Sequence, residues 1–301
     1  MTYDAMYIDL VNIYYKMYYG YRMEEGSFRG KKFKKQGIRG IINKLRYYEE
    51  DLLNDGGSVY LCVDNFSSRV NYRKTIDENY KANRKVSSQD FYESFKLACL
   101  ILKNYNSNYI FCVGEGLEAD DLVPYLIEQN TKAKSHVVIS SDMDWARVIS
   151  RKTDSHVDWH NGKELVDISK FEDKYGFYPD EDSIIAYKCF RGDPADNIKA
   201  GWPRLQTETL QELLEFGSMD DIIDGVDYID CLTEKQRKKL KKCIPVLRKN
   251  LKMVSFLDVR DHSISCKRCK YNPTVVNRIM TEIGLTSCKI PLREWKQQRL
   301  I

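Results

Sequence analysis

The sequence predicts an α/β protein with a mostly parallel central sheet flanked by helices, continued by a helical C-terminal region. Three observations carry this reading. Short apolar runs alternate with stretches of helical periodicity through the first 180 residues, the pattern of strand–helix–strand units. Four of those runs end in, or lead directly into, an acidic residue. From about Tyr178 the strand-like runs stop and helical stripes take over.

Taken in order, residues 5–9 read as a short buried strand ending at Asp9. Ser58 to Val63 reads as a second, followed by Asp64. Tyr109 to Val113 reads as a third, followed after a glycine-bearing turn by Glu118, and His136 to Ile139 as a fourth, followed by Asp142. Helical spacing falls between them at Leu45 to Leu53, Phe91 to Leu102, and Leu122, Val123, Leu126 and Ile127. Beyond Tyr178, Ile184 to Phe190 and Thr207 to Phe216 read as helices, the second with Gly217 as its C-terminal cap. Residues 234–252 are rich in Lys and Arg. The expected organisation is an α/β domain over residues 1–180 and a helical region over 181–301.

Composition narrows the classes. The 301 residues are 43% hydrophobic, enough for a sizeable core. No apolar run approaches the ~20 residues of a membrane-spanning helix, and Ala5-Met6-Tyr7-Ile8 is too short for a signal peptide. A cytoplasmic location follows as the expectation. Nine cysteines agree, since Cys62, Cys99, Cys112 and Cys189 sit in apolar patterns where a free thiol acts as a small hydrophobe. Net charge is only +4, but with nine clustered carboxylates set aside, 48 basic residues stand against 35 acidic ones, a balance of +13. Acidic clusters beside a basic surface suit a phosphodiester substrate.

The chemistry-bearing motifs are acidic. Glu118-Ala119-Asp120-Asp121 stands where a loop enters a helix, Asp142-Met143-Asp144 follows the fourth strand, and Asp193-Pro194-Ala195-Asp196 follows Gly192. Asp9 and Asp64 complete the set. Taken singly, each reads as a solvated turn or a helix N-cap. Together, four strand-end acids on the edge where open α/β sheets bind ligands would repel unless cations sat between them. Hard ions such as Mg²⁺ or Mn²⁺ take such oxygen ligands. Two of them ~4 Å apart activate water and neutralise the leaving oxygen of an in-line displacement.

In this order the motifs resemble the 5′-nuclease superfamily of flap endonucleases, in particular the 5′→3′ exonucleases of tailed phages. They run Asp9, Asp64, Tyr80-Lys81-Ala82-Asn83-Arg84, Glu118-Ala119-Asp120-Asp121, Ser141-Asp142-Met143-Asp144-Trp145 and Gly192-Asp193-Pro194-Ala195-Asp196-Asn197-Ile198. The resemblance runs over about residues 3–257. It implies a first metal site of Asp9, Asp64, Glu118 and Asp120, and a second of Asp142, Asp144, Asp193 and Asp196, with Asp121 between them. It further implies a helical arch over about residues 66–105 that admits a single strand. On a helix, Lys81 and Arg84 share a face and are expected to hold the scissile phosphate. Tyr80 is expected to stack on a terminal base, and Arg73 and Lys85, with Arg69 and Lys74, to extend the basic surface. The implied activity is a Mg²⁺-dependent 5′→3′ exonuclease and flap endonuclease of DNA replication or repair. Its substrate is DNA with a 5′ end or flap, extending to RNA–DNA hybrids at primers. The chain is expected to be a monomer that acts apart from any polymerase, with a polymerase or single-strand-binding protein as partner.

The match departs from the family after Asn197. The family's helix–hairpin–helix element carries repeated glycines that approach a DNA phosphate and a K⁺ ion. Here the segment is Lys199-Ala200-Gly201-Trp202-Pro203-Arg204-Leu205, with Pro203 lacking a donor and Leu205 bringing a Cβ. Loss of the K⁺ site is the expectation, leaving Lys199 and Arg204, with Lys235, Arg237, Lys238 and Lys239, to bind duplex by charge. The run from Arg29 to Lys35 reads either as a mobile phosphate-binding loop or as a disordered charged loop. Cys266-Lys267-Arg268-Cys269, with His262 and Cys288 nearby, has zinc-type ligands but a single pair at ligand spacing, and reads as a surface turn. Two competing readings are a PIN-like metal-dependent ribonuclease and an inactive structure-specific DNA-binding protein. The arch motif speaks against the first and the full set of nine acids against the second.

Overall fold

The structure, a computed structural model, describes residues 1–64, 71–149 and 155–291. The first half alternates as expected: β1 (Tyr3–Asp9), α1 (Leu10–Gly20), a hairpin of β2 (Glu25–Phe28) and β3 (Lys31–Lys34), α2 (Gln36–Leu52), β4 (Leu53–Cys62), α3 (Tyr72–Ile76), α4 (Gln89–Leu102), β5 (Tyr109–Gly114), α5 (Ala119–Gln129), β6 (Ser135–Ile139), β7 (His156–His160) and β8 (Leu165–Val166). The second half holds α6 (Ile168–Tyr175), α7 (Glu181–Arg191), α8 (Thr207–Phe216), α9 (Met219–Asp224), α10 (Glu234–Val254), β9 (Ile264–Arg268) and α11 (Pro273–Glu282).

Seven strands form one sheet in the order β8-β7-β6-β1-β4-β5-β9. The pairs β7–β6, β6–β1, β1–β4 and β4–β5 are parallel; the edge strands β8 and β9 are antiparallel. The chain runs from β1 to β4 and β5 on one side, then returns to β6 and β7 on the other. The strand order therefore reverses beside β1, and a crevice opens at the carboxyl ends of β1 and its neighbours. Alternation along β1 sends Ala5 and Tyr7 into one layer and Met6 and Ile8 into the other, which Tyr3 joins because the register shifts between it and Ala5. The first layer packs α5, α7, α8 and α10; the second packs α1, α2, α4 and α11. Among the described residues no helix is long and apolar enough to cross a membrane.

Three expectations change here. Residues 89–102 are not part of an arch: α4 buries Phe91, Phe95, Leu97, Ala98, Ile101 and Leu102 in the second layer. The region after residue 181 is not all helical, because it returns β9 to the sheet beside β5. The basic run from Arg29 to Lys35 is an ordered hairpin that turns at Arg29 and Gly30, both with positive φ, and is anchored by buried Phe33.

Candidate active site

The carboxyl ends of the parallel strands deliver the acids to one place. Asp9 closes β1, Asp64 follows β4 by two residues, Glu118 precedes α5 after β5, and Asp142 follows β6. An open cleft of about 1370 Å³ is lined by Asp9, Asp64, Glu118, Asp120, Asp142, Asp144, Asp193 and Asp196. Eight of the nine predicted acids therefore face one space.

Several of these carboxylates also cap local structure, so the N-cap reading and the site reading hold together. Asp9 accepts from the Asn12 amide at 3.1 Å, and its other oxygen accepts from the Ser140 hydroxyl at 2.8 Å. Asp142 accepts from the Asp144 amide at 3.1 Å, and Asp193 from the Ala195 amide at 2.9 Å. Asp64 accepts from the Ala119 amide at 2.8 Å, which ties the end of β4 to the start of α5.

The second predicted set converges most closely. Asp144, Asp193 and Asp196 offer carboxylate oxygens within 4.8 Å of one another, the one such group of three or more among the described residues. Lys188, on α7, places its Nζ 2.5 Å from Asp144, 2.8 Å from Asp193 and 3.9 Å from Asp142. Arg147 places a guanidinium nitrogen 3.1 Å from Asp120 and 3.6 Å from Asp144. A point that already draws an ammonium and a guanidinium between hard carboxylate oxygens suits a divalent cation of the Mg²⁺ or Mn²⁺ kind.

Electrostatics divides the acids. Burial, reinforced by Asp64, pushes the Asp9 carboxyl up to about 7. Burial also raises Asp64, Asp120 and Asp142, with neighbouring acids adding to the rise in each. Against the same burial, Lys81 and Arg73 hold Glu118 down at about 2, and Lys188 and Arg147 hold Asp144 below the usual carboxylate range. Such like-charge crowding beside partial compensation is the electrostatic mark of a cation site.

The comparisons with known proteins agree with this geometry. Residues 4–176 match the family described as 5′-3′ exonuclease, N-terminal resolvase-like domain. The chain belongs to the 5′-3′ exonuclease family. It is 29% identical over 221 residues to a 5′-3′ exonuclease of Buchnera aphidicola, covering 72% of each chain. It is 27% identical to the flap endonuclease of Escherichia phage T5 over 51% of this chain and 52% of that one. It is also 28% identical to the DNA polymerase I of Caldicellulosiruptor bescii, of which it spans only 22%. In fold, it is similar to the phage T5 flap endonuclease solved as a pseudo-enzyme-product complex with DNA and metal ions: TM-score 0.63 at 17% identity, over 84% of this chain and 89% of that one. The catalytic core of Rad2 with a DNA substrate gives a TM-score of 0.57 at 14% identity, over 94% of this chain and 88% of that one.

Within this family fold, several residues lie where the sequence did not place them. Lys81 and Arg84 are not on a helix; residues 78–84 form consecutive turns, with Lys81 at a positive φ of 56°. The turns still bring both side chains to the cleft, where Lys81 Nζ lies 2.6 Å from Glu118 and Arg84 pairs with Asp196. The turn segment is docked rather than arched, because the Lys81 amide donates to the Asp196 carbonyl at 3.0 Å and Asn83 to the Pro194 carbonyl at 2.6 Å. The start of the expected arch, with Arg69, lies outside the described residues. Tyr80 does not face a base: it is 2% exposed, and its hydroxyl lies 3.0 Å from a Glu118 carboxylate oxygen and 2.8 Å from an Asp196 one, with a single proton to donate between them. Arg73 is 2% exposed and grips Asp121 with two 2.9 Å hydrogen bonds, so neither its charge nor that of Asp121 faces the cleft.

Lys85, Lys199 and Arg204 are exposed, with Lys85 on the cleft wall. In the altered hairpin Leu205 turns inward and is buried with Trp202, so its side chain does not project from the hairpin surface. Gly201 is required there, since a Cβ would meet the Cys189 carbonyl oxygen at 2.5 Å and the Leu247 side chain at 2.4 Å. The C-x-x-C pair is not a surface turn. Cys266 lies on β9 opposite Cys112, whereas Cys269 and Cys288 are buried in the second layer, and His262 donates from Nδ1 to the Glu115 carbonyl.

Two buried cations beside the acids escaped the sequence reading. Lys188 sits on the stripe of Ile184 and Ile185, where a lone lysine five residues before Asp193 was a readable signal of a buried charge partner. Arg147, three residues after Asp144, is 1% exposed.

Proposed function

We propose that the chain is a structure-specific 5′-nuclease that hydrolyses DNA phosphodiesters at a 5′ end or flap, using two Mg²⁺ (or Mn²⁺) ions. The observation that carries this is the cleft in which eight acids from four strand ends and the loop after α7 face one another with Lys81, Arg84 and Lys188 among them. Asp144, Asp193 and Asp196, with Asp142, would hold one ion; Asp9, Asp64, Glu118 and Asp120 would hold the other. Bound divalent ions supply a water of lowered pKa and charge neutralisation at the leaving oxygen. Lys81 and Arg84 reach the same space on a segment anchored to the Asp196 loop, a placement suited to holding the scissile phosphate and offsetting transition-state charge. Exposed Lys85, Lys199 and Arg204, with the basic face of α10, favour a polyanion beyond the cleft. The hairpin keeps Gly201 to pack against α10, so a K⁺ site there is not part of this reading.

The test is a product ladder from 5′-flap, nicked, blunt and RNA-primed duplexes with Mg²⁺ and then with EDTA. Short 5′-derived products that disappear in EDTA are expected. Cleavage unaffected by EDTA overturns the metal reading, and a preference for single-stranded RNA favours the PIN-like alternative.

A further inference from the structure

The C-terminal end of α10 packs behind the acidic cleft, against Arg73 and Arg147. The last carbonyls of a helix have no partner within it and carry partial negative charge. Here two buried arginines meet them. Arg73 donates to the Met253 carbonyl at 2.8 Å and the Ser255 carbonyl at 3.0 Å, while its other contacts are Asp121 at 2.9 Å and Glu118 at 3.4 Å. Arg147 donates to the Val254 carbonyl at 2.5 Å and to Asp120 at 3.1 Å, and through Nε to the Asp144 carbonyl at 3.0 Å. Its guanidinium lies 3.6 Å from the centre of the Phe256 ring. The Leu257 amide adds a third link, donating to Asp121 at 3.1 Å.

We propose that Arg73 and Arg147 are positioning residues that fasten Glu118, Asp120 and Asp144, with the buried Asp121 beside them, to the C-terminal end of α10, so that the seating of this helix sets the spacing of the metal-binding carboxylates Glu118, Asp120 and Asp144. This rests on the two-metal reading above. A guanidinium is suited to the task because its donors point in fixed, divergent directions. Arg73 reaches helix-end carbonyls through Nε and Nη2 and carboxylates through Nη1 and Nη2; Arg147 reaches the Val254 carbonyl through Nη1, the Asp120 carboxylate through Nη2 and the Asp144 carbonyl through Nε. A lysine ammonium would keep the charge but not the span. The opposite face of α10 exposes Lys235, Lys238, Lys239 and Lys242. Duplex bound on that face would thus act on a helix whose end is fixed to the site by two short, rigid links.

The experiment is calorimetric titration with Mn²⁺, without DNA, of the wild-type protein, Arg147→Lys and Phe256→Leu, alongside thermal unfolding of each. Arg147→Lys is expected to fold and to lose at least ~10-fold in Mn²⁺ affinity, the usual effect of removing a group that orients metal ligands. Phe256→Leu, which removes the ring under the guanidinium and keeps an apolar side chain against the core, is expected to lose about threefold. A lowered melting temperature with Mn²⁺ affinity within about twofold of wild type would make Arg147 merely structural and overturn the inference. If Arg147→Lys does not fold, Phe256→Leu decides by the same criterion. Wild-type protein that binds no Mn²⁺ overturns the two-metal reading and this inference with it.

Discussion

The two ends of the central sheet hold their carboxylates differently. At the amino end, acids are held by neutral donors. Asp4 accepts from the Lys134 amide and from Asn54, each at 2.8 Å. Asp158 accepts from the Tyr3 hydroxyl at 2.5 Å, and Glu49 from Tyr109 and from Asn106. At the carboxyl end, Asp9 and Asp64 have neutral donors, but Glu118, Asp120, Asp121, Asp144, Asp193 and Asp196 also meet Arg73, Lys81, Arg84, Arg147 and Lys188. The consequence is visible in two glutamates. Burial pushes Glu49 up to about 7 despite its hydrogen bonds, whereas Lys81 and Arg73 bring Glu118 down to about 2 against the same penalty. Where close positive partners outweigh burial, as at Glu118 and Asp144, a buried carboxylate stays ionised and ready for another cation; where neighbouring acids add to burial, as at Asp9 and Asp120, it is pushed toward the protonated form until a cation arrives.

The largest break in this comparison comes from removing one charge at the carboxyl end. Asp144→Asn takes one acid from the converging triad and leaves the fold-determining contacts of the sheet alone. Metal-dependent cleavage of a 5′-flap duplex is expected to fall by about 10³-fold or more, while DNA affinity stays within about threefold. Substantial residual single-turnover cleavage would sink the assignment of that triad. Next in size is Arg73→Met, which strands Asp121 in the interior at 1% exposure. Urea unfolding should show a loss of about 3–5 kcal/mol, and adding Asp121→Leu should recover much of it, because the isolated charge rather than the missing pair is what destabilises. Lys81→Ala should slow single-turnover cleavage by about 10²-fold with a smaller effect on binding, and an unchanged rate would refute its placement at the scissile phosphate.

How far the sequence could be read follows the same divide. Four of the five parallel strands and their terminal acids were legible, β7 being the one missed, because apolar runs with period and turn signals are local, and the strand-end rule converts them into a site. Thr207–Phe216 was legible to the residue from its leucine stripe and Gly217. What was not legible depends on distant partners. The Tyr80 ring looks like an exposed aromatic in a basic stretch until Glu118 and Asp196 are brought around its hydroxyl. Arg73 looks like a surface cation until Asp121 and the end of α10 enclose it. Lys188 and β9 share the difficulty: a charge in an apolar stripe, and an exposed Ile264–Arg268 strand whose pairing with β5 no local pattern specifies. Carboxylates announce themselves by clustering along the chain, whereas the cations that tune them are scattered and meet only in the fold.

The smallest effect sharpens the comparison from the amino end. Glu49 ionises at about 7 in the folded protein against an ordinary 4.5. Its contribution to stability is therefore fully present below pH 4.5 and is lost as pH rises to 7, where the folded state must carry a half-buried charge that the unfolded chain carries in water. Glu49→Gln removes that titration and keeps an acceptor for Tyr109. Its unfolding free energy relative to wild type, measured by urea titration, should climb across the window from pH 4.5 to 7 and level off above it, by at most about 3 kcal/mol and less for the part of the group that faces solvent. A difference that stays flat with pH would mean that Tyr109 and Asn106, with Arg46 nearby, already stabilise the carboxylate, and that neutral donors do at this end of the sheet what lysine and arginine do at the other.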